Sequence, residues 1–112
     1  MKYDIVLVPF PFDDLSANKL RPAICLTDSI TPYNHIVIAF ITSQVAKATE
    51  TSDITILNTD ADFSLTGLKV SSAIRLHRLV TIDIAIIARR LGQLSSSFEN
   101  QLKQKLTDVF DL

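Results

Sequence analysis

The feature that most constrains this chain is the brevity of its apolar runs. Aliphatic and β-branched segments at residues 4–9, 23–27, 35–41, 53–57 and 70–79 are each closed by turn residues, and only the C-terminal segment repeats hydrophobics at helical spacing. Many short strands, one terminal helix and no alternating βαβ pattern argue for a small barrel or twisted sheet with an appended helix. The first strand is ended by Pro9 and Pro11, which cannot donate to a ladder. Pro22 sets the entry to the second strand and pushes Arg21 toward an extended conformation. Residues 28–34 form a turn signal, and residues 45–52 are weakly patterned and read as a mobile loop. In the connection 58–68, Gly67 supplies a backbone angle that other residues resist. Within 70–79 a period of two puts Ile74 and Leu76 on one face and Ser71, Ala73, Arg75 and His77 on the other. Thr81 and Asp83 offer capping side chains to a short helical turn over 84–88. Residues 89–94 fit either the end of that helix or a sixth strand containing Gly92. Ser96 and Glu99 stand at capping-box spacing, and Phe98, Leu102, Leu106, Val109 and Phe110 share one helical face, which predicts core packing.

At 112 residues the chain is expected to form one domain over 1–112. That size buries roughly two-thirds of the unfolded surface without help from a metal or disulfide. Hydrophobic residues make up 47% and charged residues 21%, the balance of a compact soluble domain. The longest apolar runs, such as 84–88, are too short to span a bilayer, and no secretory leader is expected from the N-terminus. The single cysteine, Cys25, sits in an apolar strand and reads as a small core residue in a reducing, cytoplasmic setting. A net charge of −1 does not advertise a polyanion partner. Any nucleic-acid site must come from clustering of Lys19, Arg21, Lys69, Arg75 and Arg78.

The stretch VPFPFDDLSANKLRPAICLT at 8–27 places a polar loop, with Asp13, Asp14, Asn18, Lys19 and Arg21, between two apolar strands. A loop held at both ends presents polar groups in fixed geometry, although most such loops are solvated connections. His35 and His77 are far apart and no carboxylate pair accompanies either, so no metal is expected. With only Gly67 and Gly92 there is no phosphate-cradling glycine loop and no cofactor is expected. No nucleophile-elbow motif is present, although a Ser/His/Asp hydrolase stays open. Arg75 and His77 on one strand face, with Arg21 nearby if the second and fifth strands approach, suit phosphodiester chemistry. Attack by an RNA 2′-hydroxyl needs a base, an acid for the leaving 5′-oxygen, and cations on the developing phosphorane. Histidine titrates near neutrality, and guanidinium grips phosphate through two hydrogen bonds at once. The plainer readings are a surface salt bridge for Arg75 and a half-buried strand residue for His77.

Four segments together resemble the MazF/PemK family of toxin endoribonucleases: DIVLVPFPFDDLSANKLRPAICL at 4–26, ITSQ at 41–44, GLKVSSAIRLHRLVTID at 67–83 and RRLGQLS at 89–95. The resemblance implies an SH3-like antiparallel barrel with a C-terminal α-helix, and places Gly92 in a strand. It implies a homodimer, a cognate antitoxin over the RNA site, and metal-independent cleavage of single-stranded RNA leaving a cyclic phosphate, the activity of an mRNA interferase. By position Arg21 is similar to the family's arginine before proline, Thr42 and Ser43 to its hydroxyl pair, and Arg75 to its strand arginine. His77 stands where many members carry aspartate, and the first-loop acid or histidine of some members has no clear counterpart unless Asp13 or Asp14 serves. Catalysis is therefore expected from Arg21, Arg75 and His77, and RNA binding from Lys19, Thr42, Ser43, Gln44 and Arg78. The rival expectation is a catalytically weak or inactive barrel that binds an antitoxin or, like CcdB-type toxins, gyrase.

Overall fold

Both faces of the first three strands are apolar, and the fold supplies a core for each. The computed structural model describes residues 1–10 and 19–112; Asp13, Asp14 and Asn18 of the first loop lie outside the described residues. The elements run β1 (Asp4–Pro9), β2 (Leu20–Cys25), β3 (His35–Thr42), β4 (Asp53–Ile56), β5 (Ser72–Asp83), β6 (Arg89–Gln93) and α1 (Ser96–Phe110). The strands form one antiparallel sheet in the order β4-β5-β3-β2-β1-β6, curled into a half-barrel. This is the expected mainly β architecture with a C-terminal helix.

Period-two alternation sends Ile5, Ile24, Ala39 and Ile41 to one core, shared with Ile54, Ile74, Leu76 and Leu102 of α1. The intervening Val6, Val8, Ala23, Cys25, Ile36, Ile38 and Phe40 build the second core on the opposite face, closed by Ile82. Cys25 is fully buried there, and its thiol is pushed up to about 11, first by loss of solvation and then by the nearby Asp4 charge.

Several boundaries differ from the sequence expectation for physical reasons. β2 starts at Leu20, so Arg21 and Pro22 belong to the strand, opposite Val8 and Leu7. Pairing of β2 with β3 begins only at Ala23, so Pro22 lies where β2 has a single partner and a missing donor is tolerated. β5 extends to Asp83 because its far end pairs with the start of β3. Residues 45–52, read as a mobile loop, contain the 3₁₀ turn Val45–Lys47. The helical turn expected after Asp83 is the 3₁₀ turn Ile84–Ile86, whose Ala85 N–H donates to Asp83 Oδ1 at 2.8 Å. Within residues 89–94, Arg89–Gln93 form strand β6, with Gly92 inside it.

The cap of α1 is Ser95 rather than Ser96. Its hydroxyl accepts from the Ser97 N–H at 3.3 Å and donates to Asp62 Oδ2 at 2.9 Å, tying the helix start to a distant loop. Of the predicted apolar stripe, Leu102 is buried and Phe98 and Leu106 pack on the first core. Val109 and Phe110 do not; they are 37% and 55% exposed.

The chain's only two glycines meet at one contact. Gly67, at φ 70°, ends the 3₁₀ turn Phe63–Thr66 in the left-handed region. A Cβ on Gly67 would stand 2.1 Å from the Leu91 carbonyl oxygen, and one on Gly92 would stand 2.2 Å from the Leu65 carbonyl oxygen. That backbone-to-backbone approach seats the turn against β6.

Candidate functional site

The concave end of the half-barrel carries a cavity of about 490 Å³. Its floor is apolar, from Leu7, Phe10, Pro22, Phe40, Ile41 and Leu91. Its walls carry five cationic side chains: Arg21 from β2, Lys69 from the loop before β5, Arg75 and Arg78 from β5, and Arg89 from β6. No carboxylate lines it among the described residues. The near-neutral chain therefore concentrates positive charge at one place, in walls of low dielectric where the field on an anion is focused. Between the cations stand Thr42, Ser43 and Gln44 at the end of β3. The Thr42 hydroxyl accepts the Gln44 N–H at 3.1 Å, which fixes its oxygen and leaves its own proton to donate. Arg21 lies over the Phe10 ring, 5.6 Å from its centroid, and Phe10 in turn meets Phe40 edge-on at 5.1 Å.

Arg75 is held from behind. It faces Asp53 directly across β4 and β5, and its Nε donates to Asp53 Oδ1 at 3.1 Å while Nη2 donates to Oδ2 at 3.4 Å. The Asp53 side chain is 1% exposed and that of Arg75 19%, so this pair is shielded from the screening that weakens surface ion pairs. Oδ2 also accepts the Glu50 N–H at 3.0 Å. His77 reaches the same node: its Nδ1 is 3.1 Å from Ser52 Oγ and 3.9 Å from Asp53 Oδ1.

Of the residues singled out from the sequence, Arg21, Arg75, Arg78, Thr42, Ser43 and Gln44 meet at the cavity. His77 is not among its lining; it stands beside Arg75 at the shared carboxylate, 41% exposed. Lys19 is exposed and also outside the lining, its carbonyl accepting from the Phe10 N–H at 3.3 Å. The reason for the divided β5 residues is a register change: from Ala39 to Ile41 on β3, the partner on β5 moves from Leu79 to Ile74. The surplus chain between those pairs lets Arg75 and Arg78 face one cavity, although a regular strand would point them to opposite sides. Arg89 was missed as a site residue because β6 arrives beside Leu7 of β1 by a long-range pairing. Its signal was the arginine pair in RRLGQLS.

Ser52, His77 and Asp53 come together but do not form a hydrolase triad. Both oxygens address the same Nδ1, whereas a triad needs the carboxylate on one ring nitrogen and the nucleophile on the other. Among the described residues no group of three or more His, Cys, Asp or Glu is placed to hold a metal ion. Among them, too, no helix is long and apolar enough to cross a membrane.

An open antiparallel half-barrel with one terminal helix and a cavity lined by cations, with no carboxylate among the described residues, defines a small β-barrel protein whose hollow is positively charged. The chain belongs to the PemK-like, MazF-like toxins of type II toxin-antitoxin systems, whose family model matches residues 1–110. By sequence, no curated protein matches. Among solved structures, the Mycobacterium tuberculosis toxin MazF-mt6 is similar at a TM-score of 0.75 and 22% identity, with 97% of each chain covered. An endoribonuclease in complex with its cognate antitoxin from a mycobacterial species has a TM-score of 0.76 at 10% identity, covering 100% of this chain and 95% of that one. MazF from Deinococcus radiodurans has a TM-score of 0.71 at 16% identity, covering 98% and 94%. At such identities the likeness is one of fold.

Proposed function

We propose that this toxin is an endoribonuclease that cleaves single-stranded RNA by attack of its own 2′-hydroxyl. The observation that carries the reading is the convergence of five cationic side chains with the hydroxyls of Thr42 and Ser43 on one cavity. In the step, the 2′-oxygen loses its proton and bonds to phosphorus, the bond from phosphorus to the 5′-oxygen breaks, and that oxygen takes up a proton. The products are a 2′,3′-cyclic phosphate and a 5′-hydroxyl. Charge builds on the phosphorane oxygens, where Arg21 and Arg75 stabilise it more than they stabilise the ground state. Thr42, Ser43 and Gln44 orient the ribose and phosphate, Arg78 holds the neighbouring backbone, and Lys19 engages RNA outside the cavity. His77 exchanges the protons through Nε2, its Nδ1 being occupied by Ser52. We further propose a cytoplasmic homodimer restrained by a cognate antitoxin, a partner that the similar mycobacterial endoribonuclease has in its complex.

One observation favours a second reading, a binding module with weak or lost cleavage: the imidazole is not part of the cavity lining. Long single-stranded RNA incubated with purified protein and excess chelator separates the two. Discrete fragments with cyclic phosphate ends, lost in Arg75→Ala and slowed at least a hundredfold in His77→Ala, support the enzyme and the proton carrier. Cleavage that survives His77→Ala removes the imidazole from the mechanism, and intact RNA with wild-type protein supports the binding module.

A further inference from the structure

We propose that Asp53 is the positioning residue of the site: its buried carboxylate aims the Arg75 guanidinium into the cavity and sets how tightly RNA is held there. The inference rests on the endoribonuclease reading and adds a residue that touches no substrate. Asp53 and Arg75 are opposite one another in the β4–β5 register, so strand pairing places the two side chains together. The carboxylate takes the Nε and Nη2 side of the guanidinium, at 3.1 and 3.4 Å. A guanidinium has five N–H donors, and this arrangement leaves the edge shared by Nη1 and Nη2 available for a two-point grip on phosphate.

The carboxylate is itself immobile. Its Oδ2 accepts the Glu50 N–H at 3.0 Å, and the Asp53 N–H returns to the Glu50 carbonyl at 3.0 Å, closing a small ring. From the other side Lys105 of α1 donates to the carbonyls of Thr51 at 2.7 Å and Asp53 at 3.1 Å. Burying a charge only for stability is a poor use of the position, because a packed apolar pair serves as well. What the charge adds is a fixed direction for one arginine and a counter-charge behind a cluster of cations. The second effect weakens the grip on ground-state RNA, while the first acts on the transition state, where geometry counts most.

The two effects separate in Asp53→Asn, which keeps an acceptor for Glu50 and removes the charge. With the variant's fold checked by circular dichroism, cleavage at saturating RNA is expected to fall at least tenfold. Binding of 2′-O-methyl RNA, which cannot be cleaved, is expected to be as tight or tighter, with a salt slope steeper by about 0.7 because one more cation is uncompensated. A merely structural defect would weaken both. Cleavage within twofold of wild type overturns the proposal, and so does slow cleavage accompanied by weaker binding. The wild-type protein gives an arm independent of the variant's folding: the Arg75 Nε–H, assigned by its loss in Arg75→Lys, is expected to exchange slowly with solvent at neutral pH. Exchange as fast as that of a free arginine overturns the contact. If wild-type protein leaves RNA intact, the endoribonuclease reading fails, while the exchange and binding arms still decide whether Asp53 aims Arg75.

Discussion

The salt dependence of RNA binding tests whether the cavity acts as a unit. Five cations line it, one of them backed by Asp53, so four to five effective charges face a bound strand. Each phosphate contact to single-stranded nucleic acid contributes about 0.7 to the slope of log affinity against log salt, which gives a slope of about −2.8 to −3.5. Raising salt fourfold, from about 50 to 200 mM, then weakens binding about 50- to 130-fold. A chain with net charge −1 and scattered cations would show almost none of this. The assay is fluorescence anisotropy with labelled 2′-O-methyl RNA across a salt series. Arg89→Ala removes one lining cation and is expected to reduce the slope by about 0.7. The control is Arg90→Ala, next in sequence but engaged with Asp4 at 3.2 Å outside the cavity, which is expected to leave the slope in place. A wild-type slope shallower than about −1, or an Arg90 effect as large as that of Arg89, would refute the focused-charge argument.

Other outcomes test the frame that holds the site. Gly92→Ala forces a methyl group to within 2.2 Å of the Leu65 carbonyl oxygen, so it is expected to cost about 2–3 kcal/mol and lower Tm by about 8–12 °C. A thermal melt within about 2 °C of wild type would mean the turn can move away from β6 at little cost. Ser95→Ala removes both the cap and the bond to Asp62 and is expected to lose about 1–2 kcal/mol in urea unfolding. Ser96→Ala should stay within about 0.5 kcal/mol, and the reverse order would relocate the cap. Cys25 keeps its proton to about 11 when folded, against 9.0 as the ordinary value. Above pH 9 the unfolded chain therefore loses that proton first, and stability falls as pH rises toward 11. Urea unfolding at pH 8 and 10.5 should show this loss in wild-type protein and a smaller one in Cys25→Ala; equal losses would assign the alkaline slope to other groups.

The strands were legible because each is a short apolar run, and β1 falls on residues 4–9 as read. Their two-sided apolarity was legible only as density: nothing local says that Val6 and Ile5 serve different cores. The cap of α1 was misplaced by one residue because Ser95, Ser96 and Ser97 are equivalent in sequence, and the choice is made by Asp62 from far along the chain. The arginines of the cavity were readable as a set of cations but not as a ring. Alternation grouped Arg75 with His77, and the two do share the Asp53 carboxylate, yet only Arg75 enters the cavity lining, where Arg78 joins it. That outcome depends on a change of register, which is a property of two strands and leaves no mark on either one alone.

The surplus chain in β5 also frees part of the site from the pairing with β3. On the β3 side the pairs through Ala73 and Ile74 and the pairs from Leu79 onward leave out the residues between them, while on the β4 side Arg75 stays paired with Asp53. Residues 77 and 78 lie outside the pairings on both sides, so a change of side chain there leaves the ladders as they are. The same half-barrel can therefore be given a different pattern of charges around its hollow by changes at 75, 77 and 78, while Leu76 between them stays in the first core.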